Sequence, residues 1–215
     1  MGCVSGKKLL VSVISLAVFF HSAASGTDIT LPSPDKQGGM PLMKALNTRK
    51  SHRSFSDKEL PLQTLSNLLW AANGINRTET GKRTAPSAMN QQEIDLYAAT
   101  KTGLFRYNPK AHSLELVVDK DIRHLTGKQP FVKDAPLNLI FVADSSKAVN
   151  MSKKDIELYS SVDAGFISQN VYLYCASAGL ATVVRGYIDR ESLANAMKLG
   201  PGKIIIVAQT VGFPK

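Results

Sequence analysis

At 215 residues, with 44% hydrophobic and 20% charged side chains, the chain has the make-up of a folded globular protein, long enough for one domain or one subunit of an obligate dimer. Its formal charge of +9 would admit nucleic acid, an anionic membrane or a small anion as partner. The 26 Lys and Arg are scattered among 17 acids with no dense block and no aromatic-basic motif, which argues against nucleic acid and leaves only local clusters suited to a small-molecule phosphate.

The chain opens on Lys7-Lys8, an apolar run over 9–20 and then small residues around Ala24 and Ser25, the pattern of a secretory signal peptide over 1–25. A dozen apolar residues are too few for a stable membrane anchor, so the expected product is exported, periplasmic or secreted, with a charge of about +7. Residues 26–40, rich in Pro, Gly, Ser and Asp, read as a linker to a domain over 41–215. After cleavage Cys175 is the one remaining cysteine, which rules out an internal disulfide and suggests a buried thiol on a helix.

A short helix begins at Pro41, where a missing amide costs nothing. Arg49-Lys50-Ser51-His52-Arg53-Ser54-Phe55 follows. Two planar guanidinium forks with a hydroxyl between them suit phosphate oxygens, although a basic run after a helix also suits a solvated face that complements the helix dipole. Residues 60–72 repeat apolar side chains at helical spacing, and Asn73-Gly74 ends them. Residues 75–85 read as a polar, irregular loop bordering the site. In Pro86-Ser87-Ala88-Met89-Asn90-Gln91-Gln92, uncharged carboxamides offer both donor and acceptor; the plain alternative is that Ser87 caps a helix and the amides face water.

Strand patterns follow at 94–100, 104–108 and 114–118, then a short helix at 121–126, a loop at 127–133 with room to overhang a ligand, and a continuous apolar strand at 137–143 of the kind found mid-sheet. The longest helical pattern, 153–178, carries apolar residues with Ala164, Gly165 and Ser168 among them and is expected to be buried at a subunit interface. A strand over 181–186, a helix from Asp189 to about 198 and a last strand over 203–211 complete the chain. There is no zinc-type Cys/His spacing, His52, His112 and His124 stand apart, and Gly200-Pro201-Gly202-Lys203 lacks the spacing of a nucleotide P-loop.

Arg-x-Ser-x-Arg-x-Phe, the helix ending Leu68-Leu69-Trp70-Ala71-Ala72-Asn73-Gly74, Arg83-Thr84-Ala85-Pro86-Ser87-Ala88 and Arg185-Gly186, in that order, resemble the FMN-dependent nitroreductase family. The branch containing the thiazoline and oxazoline peptide dehydrogenases is the most similar, although the Gln91-Gln92-Glu93 segment departs from that branch's pattern. The resemblance implies an α+β fold, with a central, mostly antiparallel sheet flanked by helices and the long helix buried between two copies. It implies FMN held by Arg49, Ser51, Arg53, Pro86, Ser87, Asn90, Gln92, Arg185 and Gly186, the amide at Arg185-Gly186 approaching flavin N5. Lys215 stands where the family supplies one more basic phosphate ligand. It further implies ping-pong hydride transfer from NADH or NADPH to a small organic acceptor, with no catalytic side chain and no metal, because the flavin carries the chemistry. The alternative is an exported flavin-binding or non-catalytic relative.

Overall fold

The computed structural model describes residues 1–2 and 27–215. The signal peptide expected over 1–25 lies outside the described residues but for its first two. Seven strands form one antiparallel sheet in the order β1-β6-β5-β4-β7-β9-β8: β1 (Ile29–Thr30), β4 (Ile94–Ala99), β5 (Leu104–Asn108), β6 (Ser113–Val118), β7 (Leu137–Asp144), β8 (Ala181–Arg185) and β9 (Lys203–Gly212). A small hairpin, β2 (Ile75–Arg77) with β3 (Lys82–Arg83), stands apart from it. Four helices complete the α+β fold: α1 (Leu42–Thr48), α2 (Leu62–Asn73), α3 (Lys153–Ser177) and α4 (Arg190–Ala196).

The period of two in a strand explains why β7 is apolar throughout. Leu137, Leu139, Phe141 and Ala143 face α2 and α3, in a core that includes Leu65, Leu68, Leu69 and Ala72 of α2 and Ile167, Val171 and Cys175 of α3. Ile140 and Val142 face the opposite side, where Leu193 of α4, Met197 and Ile122 close a second core. All eight β7 residues are buried, as a strand covered on both faces must be. Phe141 is fully buried at this junction, so Phe141→Ala should lower the unfolding free energy by about 3–5 kcal/mol, read as a lower urea midpoint at unchanged slope.

Three expectations need correction. The described part of the linker over 26–40, residues 27–40, is tied to the domain: β1 pairs with β6, Leu31 is buried, and the Pro32 carbonyl accepts from Ser66 Oγ at 2.6 Å. Gln63, Ser66 and Asn67 of α2 bind its backbone at Ser33, Pro32 and Asp35. The loop over 75–85 contains the β2–β3 hairpin, whose strands are too short and polar to give a periodic signal. The helix expected at 121–126 is a single 3₁₀ turn, Arg123–Leu125, begun by Asp121, which accepts from the Arg123 amide at 3.0 Å. The burial expected of α3 is met along one face within the single chain. Ala164, Ile167, Val171 and Cys175 point into the core, while Leu158, Val162 and Phe166, at fourfold spacing on the other face, are 56%, 43% and 44% exposed.

Candidate functional site

After α1 the chain runs extended along the outer edge of β8. The His52 amide donates to the Thr182 carbonyl at 2.9 Å, Phe55 bridges to Pro214, and the Ser56 amide donates to the Phe213 carbonyl at 3.0 Å. Burial then divides the side chains. His52 turns its Nδ1 inward, and Phe55 is buried with Ala135, Ala181 and Val183, its ring 5.4 Å from that of Phe131. Ser51 and Arg53 are left on the outside. Burial, and then the charge of Lys50, lowers the pKa of His52, so its imidazole is neutral at physiological pH.

The hydroxyl between the two arginines is oriented by a residue from far along the chain. Ser51 Oγ lies 2.8 Å from the Tyr172 hydroxyl of α3, and that hydroxyl accepts the Val184 amide of β8 at 3.0 Å. Either hydroxyl can donate in that contact; when Tyr172, which already accepts from Val184, gives its proton to Ser51, the Ser51 proton is free to donate outward. Arg49 lies half-buried with its guanidinium 5.3 Å from the centre of the Tyr172 ring, and Arg53 is exposed. Neither arginine is in an ion pair among the described residues. Two unneutralised forks and an outward hydroxyl make a donor-only set, the chemistry a phosphate dianion requires.

Arg185 and Gly186 end β8, and the two diverge. The Arg185 side chain is 5% exposed and turned into the protein. Its Nε donates to Thr210 Oγ1 at 2.9 Å, Nη1 to the Thr126 carbonyl at 2.7 Å and Nη2 to Asn138 Oδ1 at 2.9 Å. Burial lowers its pKa to about 10, which keeps it charged at neutral pH. The expected contact from this residue is therefore confined to its backbone: the guanidinium is engaged inside the protein. Gly186 is exposed, and a Cβ built on it would meet no atom of the chain within 4 Å, so a flat ring has room against this backbone. Tyr187 follows, 65% exposed, its carbonyl accepting from the Lys128 amide at 3.1 Å.

The Pro86–Gln92 block is a tight turn built on positive φ at Met89 (49°), Asn90 (56°) and Gln92 (52°). Such angles strain a methionine, and the surrounding bonds hold them. Ser87 Oγ accepts the Gln92 amide at 3.0 Å, and Asp163 Oδ2 of α3 accepts the Ala88 amide at 2.9 Å. Gln92 is a brace, not an open hand. Its Oε1 accepts from Arg83 Nε at 2.9 Å, and its Nε2 donates to the Gly81 carbonyl at 3.2 Å and to Asn90 Oδ1 at 3.1 Å. Pro86 and Asn90 are exposed, and the Asn90 amide group faces outward with its donors uncommitted among the described residues.

Asp163 and Glu93 are each 3% exposed, and neither Glu93 oxygen has a hydrogen-bond partner among the described residues. Burial, reinforced by the charge of Glu93 and opposed by the Ala88 amide, raises the pKa of Asp163 to about 6. A pKa raised in the folded state gives stability that is full below about pH 4 and lost as pH rises through 6. Wild type should therefore lose roughly 2–3 kcal/mol from this site between pH 4 and 7, and Asp163→Asn, which keeps an acceptor for Ala88, should flatten that slope in thermal melts.

Tyr172 and Asp163 stand nine residues apart on α3, about 13–14 Å along its axis, so one chain holds its arginine block and its Pro-Ser block at separate places. None of the nine candidate residues lines the cavity of about 660 Å³ by Leu60, Phe105 and Leu137. Tyr172 and Asp163 join the site from α3 with no role assigned to them in sequence, and Arg83, the first residue of the Arg83–Ala88 block, braces Gln92. Among the described residues no group of three or more His, Cys, Asp or Glu is gathered for a metal, and no helix is long and apolar enough to cross a membrane.

A model of the nitroreductase family matches residues 46–213. A protein of Methanocaldococcus jannaschii assigned as a nitroreductase is 30% identical over 175 residues, covering 76% of this chain and 86% of its own. A crystal structure from Ralstonia eutropha with the same assignment is 48% identical, with a TM-score of 0.85 over 89% of this chain and 91% of that one. The Escherichia coli microcin synthetase McbBCD complex matches with a TM-score of 0.69 over 97% of this chain and 85% of the other; at 20% identity that likeness concerns the fold.

Proposed function

The chain belongs to the nitroreductase family of oxidoreductases, and on that premise we propose that two copies hold FMN between them and pass hydride equivalents from NADH or NADPH to a small organic acceptor. When bound, FMN supplies the two-electron chemistry at its N5. Arg49 and Arg53 would neutralise the phosphate, and Ser51, oriented by Tyr172, would donate to it. The backbone at Gly186, bare on its open side, would lie against the ring, and the outward Asn90 amide, with Pro86 and Ser87, would border it from the other copy. Donor and acceptor would use the same open face in turn. The absence of side chain at Gly186 and the neutral character of the Pro86–Asn90 turn leave that face free of a competing acid or base.

One observation carries this reading: two guanidinium groups in no ion pair among the described residues flank a hydroxyl fixed against β8, the edge strand that Gly186 follows. The exposed apolar face of α3 supports the second copy. Purified protein should be yellow, with absorbance bands near roughly 370 and 450 nm, and should bleach on adding NADH or NADPH without air. A colourless protein that takes up no FMN on titration would sink the proposal. A yellow protein that neither nicotinamide bleaches would favour a flavin carrier. We also propose export directed by residues 1–25, which intact-mass measurement of the secreted product would test.

A further inference from the structure

We propose that Arg185 is a positioning residue of the flavin site, a buried cation whose field raises the reduction potential of FMN bound at the end of β8; this rests on the FMN reading above. Its guanidinium is almost wholly enclosed, and its three acceptors, Thr210 Oγ1, the Thr126 carbonyl and Asn138 Oδ1, are all neutral. Among the described residues no carboxylate lies within ion-pair distance of it. Hydrogen bonds therefore satisfy the donors while the charge stays uncancelled, and a charge buried in protein is screened far less than one in water. Neutral donors could join these strands equally well, so cohesion alone does not account for a cation here.

The chain keeps room for this group at a cost in backbone freedom. A Cβ at Gly127 would come within hard contact of Arg185 Nη1, so residue 127 is bare because the guanidinium fills its place. The same clamp ties the 126–128 loop to the strand end, through Nη1 to Thr126 and through the Lys128 amide to the Tyr187 carbonyl. The charge is thus fixed one residue before Gly186. When a hydride donor is oxidised by two electrons, FMN gains those two electrons and one proton and becomes an anion, and a nearby fixed cation favours that form over the neutral oxidised one.

The test uses the FMN-loaded full chain. Midpoint potentials are measured by equilibration with a reference dye during dithionite reduction, and the affinity for oxidised FMN by fluorescence. Arg185→Gln, which keeps donors and removes charge, should lower the potential, the ratio of reduced to oxidised FMN affinity falling about tenfold. Arg185→Lys, which keeps charge and loses the fork, should restore most of it. Gly127→Ala, which displaces the guanidinium without deleting it, should shift the potential in the same direction and stands in if Arg185→Gln does not fold. An unchanged potential in Arg185→Gln or in its stand-in, or equal shifts in the Lys and Gln variants, overturns the proposal. A wild type that binds no FMN is detected before any variant is made and overturns the FMN reading together with this one.

Discussion

Replacing Arg49 and Arg53 together by glutamine is expected to weaken FMN binding by about two to four powers of ten while leaving riboflavin binding unchanged. A charge-assisted hydrogen bond contributes roughly 1.5–3 kcal/mol, so each guanidinium corresponds to about 10- to 150-fold in affinity. Riboflavin lacks the phosphate, so the difference between the two ligands isolates the grip from ring contacts. Arg53 is exposed and in no ion pair, so its loss should cost little stability; Arg49 gives up its contact with Tyr172, worth about 0.5–1 kcal/mol. Ser51→Ala should add a smaller loss, and Tyr172→Phe should mimic it, because the phenol sets the direction of the serine proton. Equal FMN affinity in wild type and double variant would show that these arginines are a solvated surface.

The residues that were legible in sequence are those whose neighbours lie close along the chain. The apolar run of β7 announced a strand covered on both faces, and the spacing of Leu65, Leu68, Leu69 and Ala72 announced the buried face of α2. The arginine block could be recognised, but not the phenol that orients it, because Tyr172 meets Ser51 across 121 residues and nothing local distinguishes it from another helix aromatic. Arg185 misled for a different reason. Strand alternation puts it on the face of Ala181 and Val183, which is the buried one, but a charged residue at a strand end is ordinarily exposed. Its three neutral acceptors come from β7, β9 and the loop after the 3₁₀ turn, so its satisfaction is visible only once the chain is folded. In α3, apolar residues occupy two faces, and periodicity cannot tell the face that meets the sheet from the one left outside.

That outer face sets the second large effect: Val162→Asp with Phe166→Asp should convert the proposed flavin-binding dimer into a soluble, helical monomer that retains little FMN. Leu158, Val162 and Phe166 lie on one line of the helix, and Gly165 has no atom near its missing Cβ, so a second backbone can approach closely there. An antiparallel crossing about this point would lay the Tyr172 end of one α3 beside the Asp163 end of the other. The arginine block and strand end of one copy would then approach the Pro86–Asn90 turn of its mate: residue 172 of one helix falls opposite residue 158 of the other, about 7–8 Å along the axis from Asp163 in place of the roughly 13–14 Å within one chain. Burying a side chain of this kind yields about 1.5–3 kcal/mol, and two-fold symmetry counts each one twice. Each is only about half exposed beforehand, so the three residues supply on the order of 4–9 kcal/mol toward association costs of about 4–15 kcal/mol. An aspartate at either position brings a charge into that contact once per copy, so the pair should raise the dimer dissociation constant at least about a thousandfold. Both positions are exposed in the single chain, which is why circular dichroism should be unchanged while light scattering reports half the mass. Should the doubly charged variant stay dimeric and yellow, the two copies do not meet through α3, and the site must be complete within one chain.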